Sequence, residues 1–389
     1  MTDTAGTGTD LNRLRELNSL SVVKALRGNP PMTVTELSAS TGLSRPSADV
    51  MVKSLVGDGW ATVVEPTGNS VVGRPPRRYQ FRADAGHVLG VDVGGHKILT
   101  MLADLDGTVV HSARIAVTPE ADPATRLAAM DAVITDCLAG AAMSGDDLWA
   151  ISVGVTGPVD ETGRTTLFTP LPGWTSVNPA EHLGARFAAP ILVENDCKLA
   201  AVAERWHGVA QDADDIVYLM AGMRTGAGLI LDGALRRGYG GAAGEIGALR
   251  QVRWLNAPNH LQNCPGLPDT VTTDDAAAWV FSAARAGDKA AKAAVRGYVR
   301  DLAVGTAALV LTLDPQIVVV GGGYSRSADV LLAPLERELR RLCLRLPEIR
   351  ASTLADEGVA LGALRLALDE VDHRLFGTGL SAPLPPRRQ

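Results

Sequence analysis

The chain lacks most of what would mark it for export or for a membrane. Its 389 residues include only four cysteines (Cys137, Cys197, Cys264, Cys343), far apart and with no C-x-x-C pair. A disulfide framework is therefore not expected, and a reducing cytoplasm is the anticipated setting. No run of about eighteen uninterrupted apolar residues occurs; the best candidate, Leu302 to Leu313, stops at Asp314. The start, Met1 to Asp10, has no basic stretch followed by an apolar one, so secretion is not expected either. What remains, 46% apolar and 21% charged residues, is the composition of an ordinary globular protein with room for two or three domains.

Charge is unevenly placed. Residues 1 to 83 carry ten Lys and Arg against seven Asp and Glu, whereas the rest carries 27 against 36. A small basic head on an acidic body suits a nucleic-acid-reading module joined to a part that does not touch nucleic acid.

In the head, after a polar start expected to be unstructured, Leu14, Leu17, Val22, Val23 and Leu26 form a helical stripe ending near Gly28-Asn29-Pro30-Pro31. Thr33-Val-Thr-Glu36 has the form of a capping box and opens a second helix that ends at Thr41-Gly42. Ser44 is a good N-cap for a third helix, with Pro46 in its first turn and Ala48, Val52 and Leu55 on one face. Two short helices around a glycine make a helix-turn-helix. Trp60 to Glu65 reads as a strand, Pro66 to Ser70 as a turn and Arg78 to Arg82 as a returning strand, so a β-wing follows. On its way back the wing carries Gly73-Arg-Pro-Pro-Arg-Arg78. The blander reading is a three-helix bundle followed by a basic linker. The favoured one is a DNA reader that uses Ser44, Arg45, Ser47, Asp49, Val50 and Lys53 in the major groove, with Arg74, Arg77 and Arg78 at phosphates or the minor groove.

The body is organised around Leu89-Gly-Val-Asp-Val-Gly-Gly-His-Lys-Ile-Leu-Thr-Met-Leu-Ala-Asp-Leu-Asp-Gly107, two apolar strands joined by a Gly94-Gly95 turn and followed by a third strand. A carboxylate, Asp92, just before two glycines suits a phosphate site. An alanine-rich helix from Asp122 to Ala141 and a buried strand ending in Gly157-Pro158 follow. Trp174 reads as core in preference to a sugar-stacking surface. The strand Ile191 to Asp196 places Asn195 and Asp196 at a helix mouth, where an amide beside a carboxylate can grip vicinal hydroxyls or simply cap the helix. Further on come Gly222-Met-Arg-Thr-Gly-Ala-Gly228, Gly240-Gly-Ala-Ala-Gly-Glu-Ile-Gly247, and a strand ending in Gly321-Gly-Gly323. Helices are expected over 276–286, 289–311, 331–344 and 359–371.

From about Leu14 to Val371 these motifs resemble the ROK family of repressors, open reading frames and kinases. The resemblance implies an α/β protein with an N-terminal winged helix-turn-helix (1–83) and a two-lobed actin-like body (84–389). Lobe one would span about 84–197 plus the closing helix 359–372, and lobe two about 198–358. It implies Gly157, Asn195, Asp196 and Glu245 as ligand residues, with Asp196 as catalytic base if the chain were a kinase. It also implies Asp92, Gly94, Gly95, Thr225 and Gly226 as remnants of two phosphate loops.

The sequence departs from the family where nucleotide and metal chemistry would sit. His96 stands where the hub loop usually has threonine, and Met223-Arg224 interrupt the second loop. Ala248 replaces a histidine that binds sugar and zinc, and only Cys264 remains of three thiolates, with His260 nearby. The expectation is a cytoplasmic carbohydrate-responsive repressor, dimeric or tetrameric, binding operator DNA and a sugar or sugar derivative without metal or cofactor. The alternative is an ATP-dependent sugar kinase with an accessory head.

Overall fold

The computed structural model describes residues 6–64, 76–165 and 169–376. The turn expected at Pro66 to Ser70 and Arg74 both lie outside them.

The head consists of α1 (Gly6–Leu26), β1 (Met32–Thr33), α2 (Val34–Thr41), α3 (Arg45–Gly57), β2 (Ala61–Val64) and β3 (Arg78–Phe81). The capping box forms as expected: the Glu36 amide donates to the Thr33 hydroxyl at 3.2 Å, and the Thr33 amide to the Glu36 carboxylate at 2.6 Å. Gly42 ends α2 in the left-handed region (φ +72°), and the Ser44 hydroxyl accepts from the Ser47 amide at the start of α3. The wing forms a three-stranded sheet in the order β1-β3-β2; the two-residue β1, too short to leave a pattern, is its unforeseen member. The first helix differs from expectation. It already begins at Gly6, and Leu14 and Leu17 are about half exposed while Val22, Val23 and Leu26 are buried. The stripe is periodic over its whole length, but the head is wide enough to cover only the last two turns.

In the body, β4 (His87–Val93), β5 (Lys97–Asp104) and β6 (Val109–Ala116) are followed by α4 (Pro123–Gly140), β7 (Leu148–Val155), α5 (Pro179–Gly184), β8 (Ile191–Asn195) and α6 (Asp196–Trp206). A second series repeats the plan: β9 (Ile216–Met220), β10 (Gly226–Leu231), β11 (Ala234–Leu235), α7 (Asn259–Gln262), α8 (Ala276–Arg285), α9 (Lys289–Leu313), β12 (Ile317–Gly321), α10 (Ala328–Leu342) and β13 (Glu348–Ala351). The chain then closes with α11 (Gly358–Phe376). The sheets run β6-β5-β4-β7-β8 and β11-β10-β9-β12-β13. In each, the first three strands are antiparallel and the last two join in parallel. This duplicated arrangement is the actin-like plan. Strand β10 already begins at Gly226, inside the glycine-containing loop noted in the sequence, because glycines obscure the strand pattern there.

Helix α11 returns to the first sheet, packing on β4 and β7, and it crosses α6 at close range. At Gly362 a Cβ would lie 1.9 Å from the Leu199 carbonyl oxygen, so any side chain there would force the two helices apart. On its other side α6 packs against β9 and β10, which puts it between the two sheets. Trp174 is wholly buried, as the core reading required. Among the described residues no helix is long and apolar enough to cross a membrane.

The head is joined to the body by a continuous core. Buried residues from Val22 through Phe81 share one cluster with Val88, Leu99, Met101, Leu105, Leu364, Leu368 and Val371. Trp60 of the head meets Trp149 of the body edge-on, with ring centroids 5.1 Å apart.

Candidate ligand cleft and nucleic-acid interface

The ends of β7 and β8 bring Gly157, Asn195 and Asp196 together, as strand ends in an α/β sheet do, whereas Glu245 lies in the loop that follows β11. Asn195 caps α6 through its Oδ1, which accepts from the Lys198 amide at 3.1 Å. Its Nδ2 donates to the Gly157 carbonyl at 3.1 Å and to Asp196 Oδ1 at 3.0 Å. Asp196 Oδ2 accepts from the Thr156 hydroxyl at 2.9 Å, and Oδ1 also accepts from the Cys197 amide at 2.8 Å. Burial raises the Asp196 pKa, against the pull of these donors. Burial likewise raises the pKa of Glu245, with Lys198 opposing. Asp92 is pushed up to about 7 by burial, against the lowering effect of Lys97, whose ammonium lies 3.9 Å away, and with the help of Asp196 and Asp356. The Asp196 charge thus acts on both Asp92 and Glu245.

Several residues that hold this cleft gave no sign in the sequence. Lys198, with 1% of its side chain exposed, donates to the Gly241 carbonyl and stands 3.9 Å from Glu194. Arg237 Nε donates to Glu194 Oε2 at 2.5 Å. Gly241, at φ +74°, abuts the Val159 carbonyl. The loop carrying Glu245 is therefore fastened to the first lobe by one ion pair, Arg237–Glu194, and by the hydrogen bond from Lys198 to the Gly241 carbonyl. Beneath the hub, Arg126 is completely buried and donates to the carbonyls of Gly94 (2.5 Å) and Thr118 (2.9 Å). A lone arginine in an alanine-rich helix reads as a solvated face; only the tertiary fold turns it inward.

The side chains of the two loops expected from the sequence to be phosphate-loop remnants are paired within the protein. His96 reaches across to Asp274 at 3.3 Å, and Lys97 donates to the Asp356 carbonyl at 2.5 Å. In the second loop the Met223 sulfur accepts from the Tyr324 hydroxyl at 3.2 Å and from Gln262 at 3.6 Å, drawing this loop onto the glycine turn that follows β12. Thr225 lies over the buried Tyr298, and Gly226 is the first residue of β10. The residues present do not fit a zinc ion. Ala248 has no donor atom, His260 is paired with Asp301 at 2.9 Å, and Cys264 is buried. Among the described residues no group of three or more His, Cys, Asp or Glu side chains is placed to hold a metal.

On the head, α3 buries Ala48, Met51, Val52 and Leu55 and turns Ser44, Arg45, Ser47, Asp49, Val50 and Lys53 outward. Lys53 pairs with Asp49 at 2.7 Å, and it lies near enough to Arg77 of the wing to feel its charge. Arg78 faces the other way. It donates to the Pro31 carbonyl at 2.5 Å and pairs with Glu36 at 3.3 Å, bracing the start of α2.

Residues 88–265 and 272–370 match the ROK family model, which is most of the chain. The chain belongs to the ROK family. Residues 17–65 match the IclR helix-turn-helix domain. Among ROK relatives, the xylose repressor of Caldicellulosiruptor bescii is 23% identical over 92% of this chain and 97% of its own length. The glucokinase of Streptomyces coelicolor is 27% identical over 72% of this chain and 98% of its own. A ROK family transcriptional regulator described as a homolog of E. coli MLC shares the fold over 91% of this chain and 96% of its own, at a TM-score of 0.67 and 20% identity. A ROK family glucokinase from Streptomyces griseus, solved with glucose and AMPPNP, covers 73% of this chain with all of its own, at a TM-score of 0.60 and 28% identity. The repressor and the regulator cover more than nine tenths of this chain, the two glucokinases less than three quarters.

Proposed function

We propose that this chain is a sugar-responsive DNA-binding repressor of carbohydrate-related genes, divided into a head of residues 1–83 and a sensor body of 84–389. The observation that carries the reading is the union, in one chain, of an outward-facing recognition helix with a ROK cleft whose hydroxyl-binding residues are intact. Asp196 and Glu245 offer half-buried carboxylate acceptors, with Asp196 held in place by Asn195, a set suited to a neutral polyhydroxyl ligand. Sugar binding would close the cleft and favour a state in which paired heads no longer match two half-sites, which requires the sugar to bind the two states with different affinity. Two-fold symmetric operators call for a homodimer or homotetramer, and the body needs neither zinc nor nucleotide.

The test is selection of duplexes from a random library by the full chain, followed by titration with and without D-xylose and D-glucose. A sequence-selective complex weakened by one sugar supports the reading, and indifference to all sequences overturns it. The kinase alternative has in its favour Asp196, placed where a base would serve, and it is judged by ADP release with a hexose panel. Met223 and His96, held by their own partners in the two phosphate loops, favour no turnover.

A further inference from the structure

Helix α6 begins at the cleft and ends beside the head. Its N-terminal residues are Asn195 and Asp196, and its last is Trp206, eleven residues and about 16 Å along. Two routes lead from Trp206 to a single head residue, Arg27. On the first, the Arg365 guanidinium of α11 lies over the Trp206 ring, 5.7 Å from its centroid, pairs most closely with Asp369, and also donates to Asp372 Oδ2 at 3.4 Å. The other oxygen of Asp372 accepts from Arg27 Nη1. On the second, the Trp206 ring presses on Gly107, where a Cβ would meet it at 2.6 Å. The adjoining residues hold Arg27: the Leu105 carbonyl accepts from Nη2, and the Asp106 carboxylate lies 3.9 Å from Nε.

Arg27 is well covered, with 15% of its side chain exposed, so its contacts act in a weakly screened setting. Adhesion between head and body does not need it, because the Trp60–Trp149 contact and the shared apolar core already supply that. The distinctive feature is that one carboxylate, Asp372, is divided between an arginine riding on α6's terminal indole and an arginine anchored in the head. Any shift of α6 that moves Trp206 displaces Arg365 and Gly107 together, and both displacements alter the seat of Arg27.

We propose that Arg27 is a positioning residue that transmits the state of the cleft to the DNA-reading head through Trp206, Arg365 and Asp372. This rests on the sugar-responsive repressor reading and adds the route. The measured quantity is the ratio of DNA affinities with and without saturating D-xylose or D-glucose, using a duplex selected by the wild-type chain. If wild type shows a ratio of about tenfold, as allosteric couplings commonly do, Arg27→Ala and Asp372→Asn should bring it close to one while sugar affinity by calorimetry is unchanged. Arg27→Lys, which keeps the charge but loses the forked geometry, should retain part of the ratio. An undiminished ratio in Arg27→Ala overturns the proposal.

A second measurement needs neither sugar nor DNA, and so separates failure of the route from failure of the repressor reading. Asp196→Asn is made in the wild-type and in the Arg27→Ala chains, and amide exchange is followed in residues 20–27. The route requires that Asp196→Asn change this exchange in the wild-type background and not in the other. An equal change in both, or none in either, overturns it.

Discussion

The Asn195 amide fixes the Asp196 carboxylate. Its Nδ2 bridges from the Gly157 carbonyl, at 3.1 Å, to Asp196 Oδ1, at 3.0 Å, while its Oδ1 caps the helix that Asp196 begins. One side chain therefore joins the end of β8, the Gly-Pro turn after β7 and the first turn of α6. Thr156 holds the carboxylate from the opposite side.

Because these contacts converge, Asn195→Ala should both destabilise the chain, by about 1 kcal/mol for the lost cap, and abolish the thermal shift given by D-xylose or D-glucose. Asp196→Asn keeps the size of the side chain, removes its charge and replaces one of its two acceptor oxygens by an amide donor. It should leave the melting temperature without sugar close to that of wild type and still lose the shift. A sugar-induced shift retained by both variants would remove this pair from the ligand site.

Asp92 makes stability depend on pH in an unusual direction. Its carboxyl, ordinarily at 3.8, is pushed to about 7 by burial. Below pH 3.8 it is protonated in both folded and unfolded chains; as pH rises, the unfolded chain gives up its proton first, so stability falls until pH 7. Asp92→Asn should flatten this part of the curve and be more stable than wild type at pH 8, by about 1–4 kcal/mol. Urea titrations at pH 5 and pH 8 measure it, and an unchanged pH dependence would show that Lys97 neutralises the carboxylate in place.

Arg126 secures the hub turn from below. Replacing it by methionine, which fills similar space without a donor, leaves the Gly94 and Thr118 carbonyls without their partner. The expected loss is about 2–4 kcal/mol by urea unfolding. A loss under about 0.5 kcal/mol would mean that water replaces the guanidinium without penalty.

Neighbouring wing arginines should behave differently. Arg77→Ala should reduce the salt dependence of DNA binding by about one counterion with little effect on folding. Arg78→Ala should weaken the head itself, since it releases the Pro31 carbonyl and Glu36, at a cost of about 0.2–1 kcal/mol for so exposed a pair. Fluorescence anisotropy across a salt series, paired with thermal melts, separates the two.

The sequence by itself determined everything that depends on local pattern. Capping residues marked the helix starts at Thr33 and Ser44, apolar runs bounded by glycine marked β4, β5, β7 and β12, and the Glu-Asn-Asp and Gly-Glu-Ile-Gly segments carried the family resemblance. These signals are legible because they act between residues close in the chain. Tertiary structure alone decided which periodic positions were covered, so Leu14 and Leu17 remain exposed on a helix whose later turns are buried. It also decided where long charged side chains found partners: Lys198 on Gly241, Arg237 on Glu194, Arg126 under the hub, and Arg27 on Asp372. Each of these pairings spans from 32 to 345 residues of chain. A flexible cation has no fixed partner until the fold brings an acceptor within reach and excludes water from the rest.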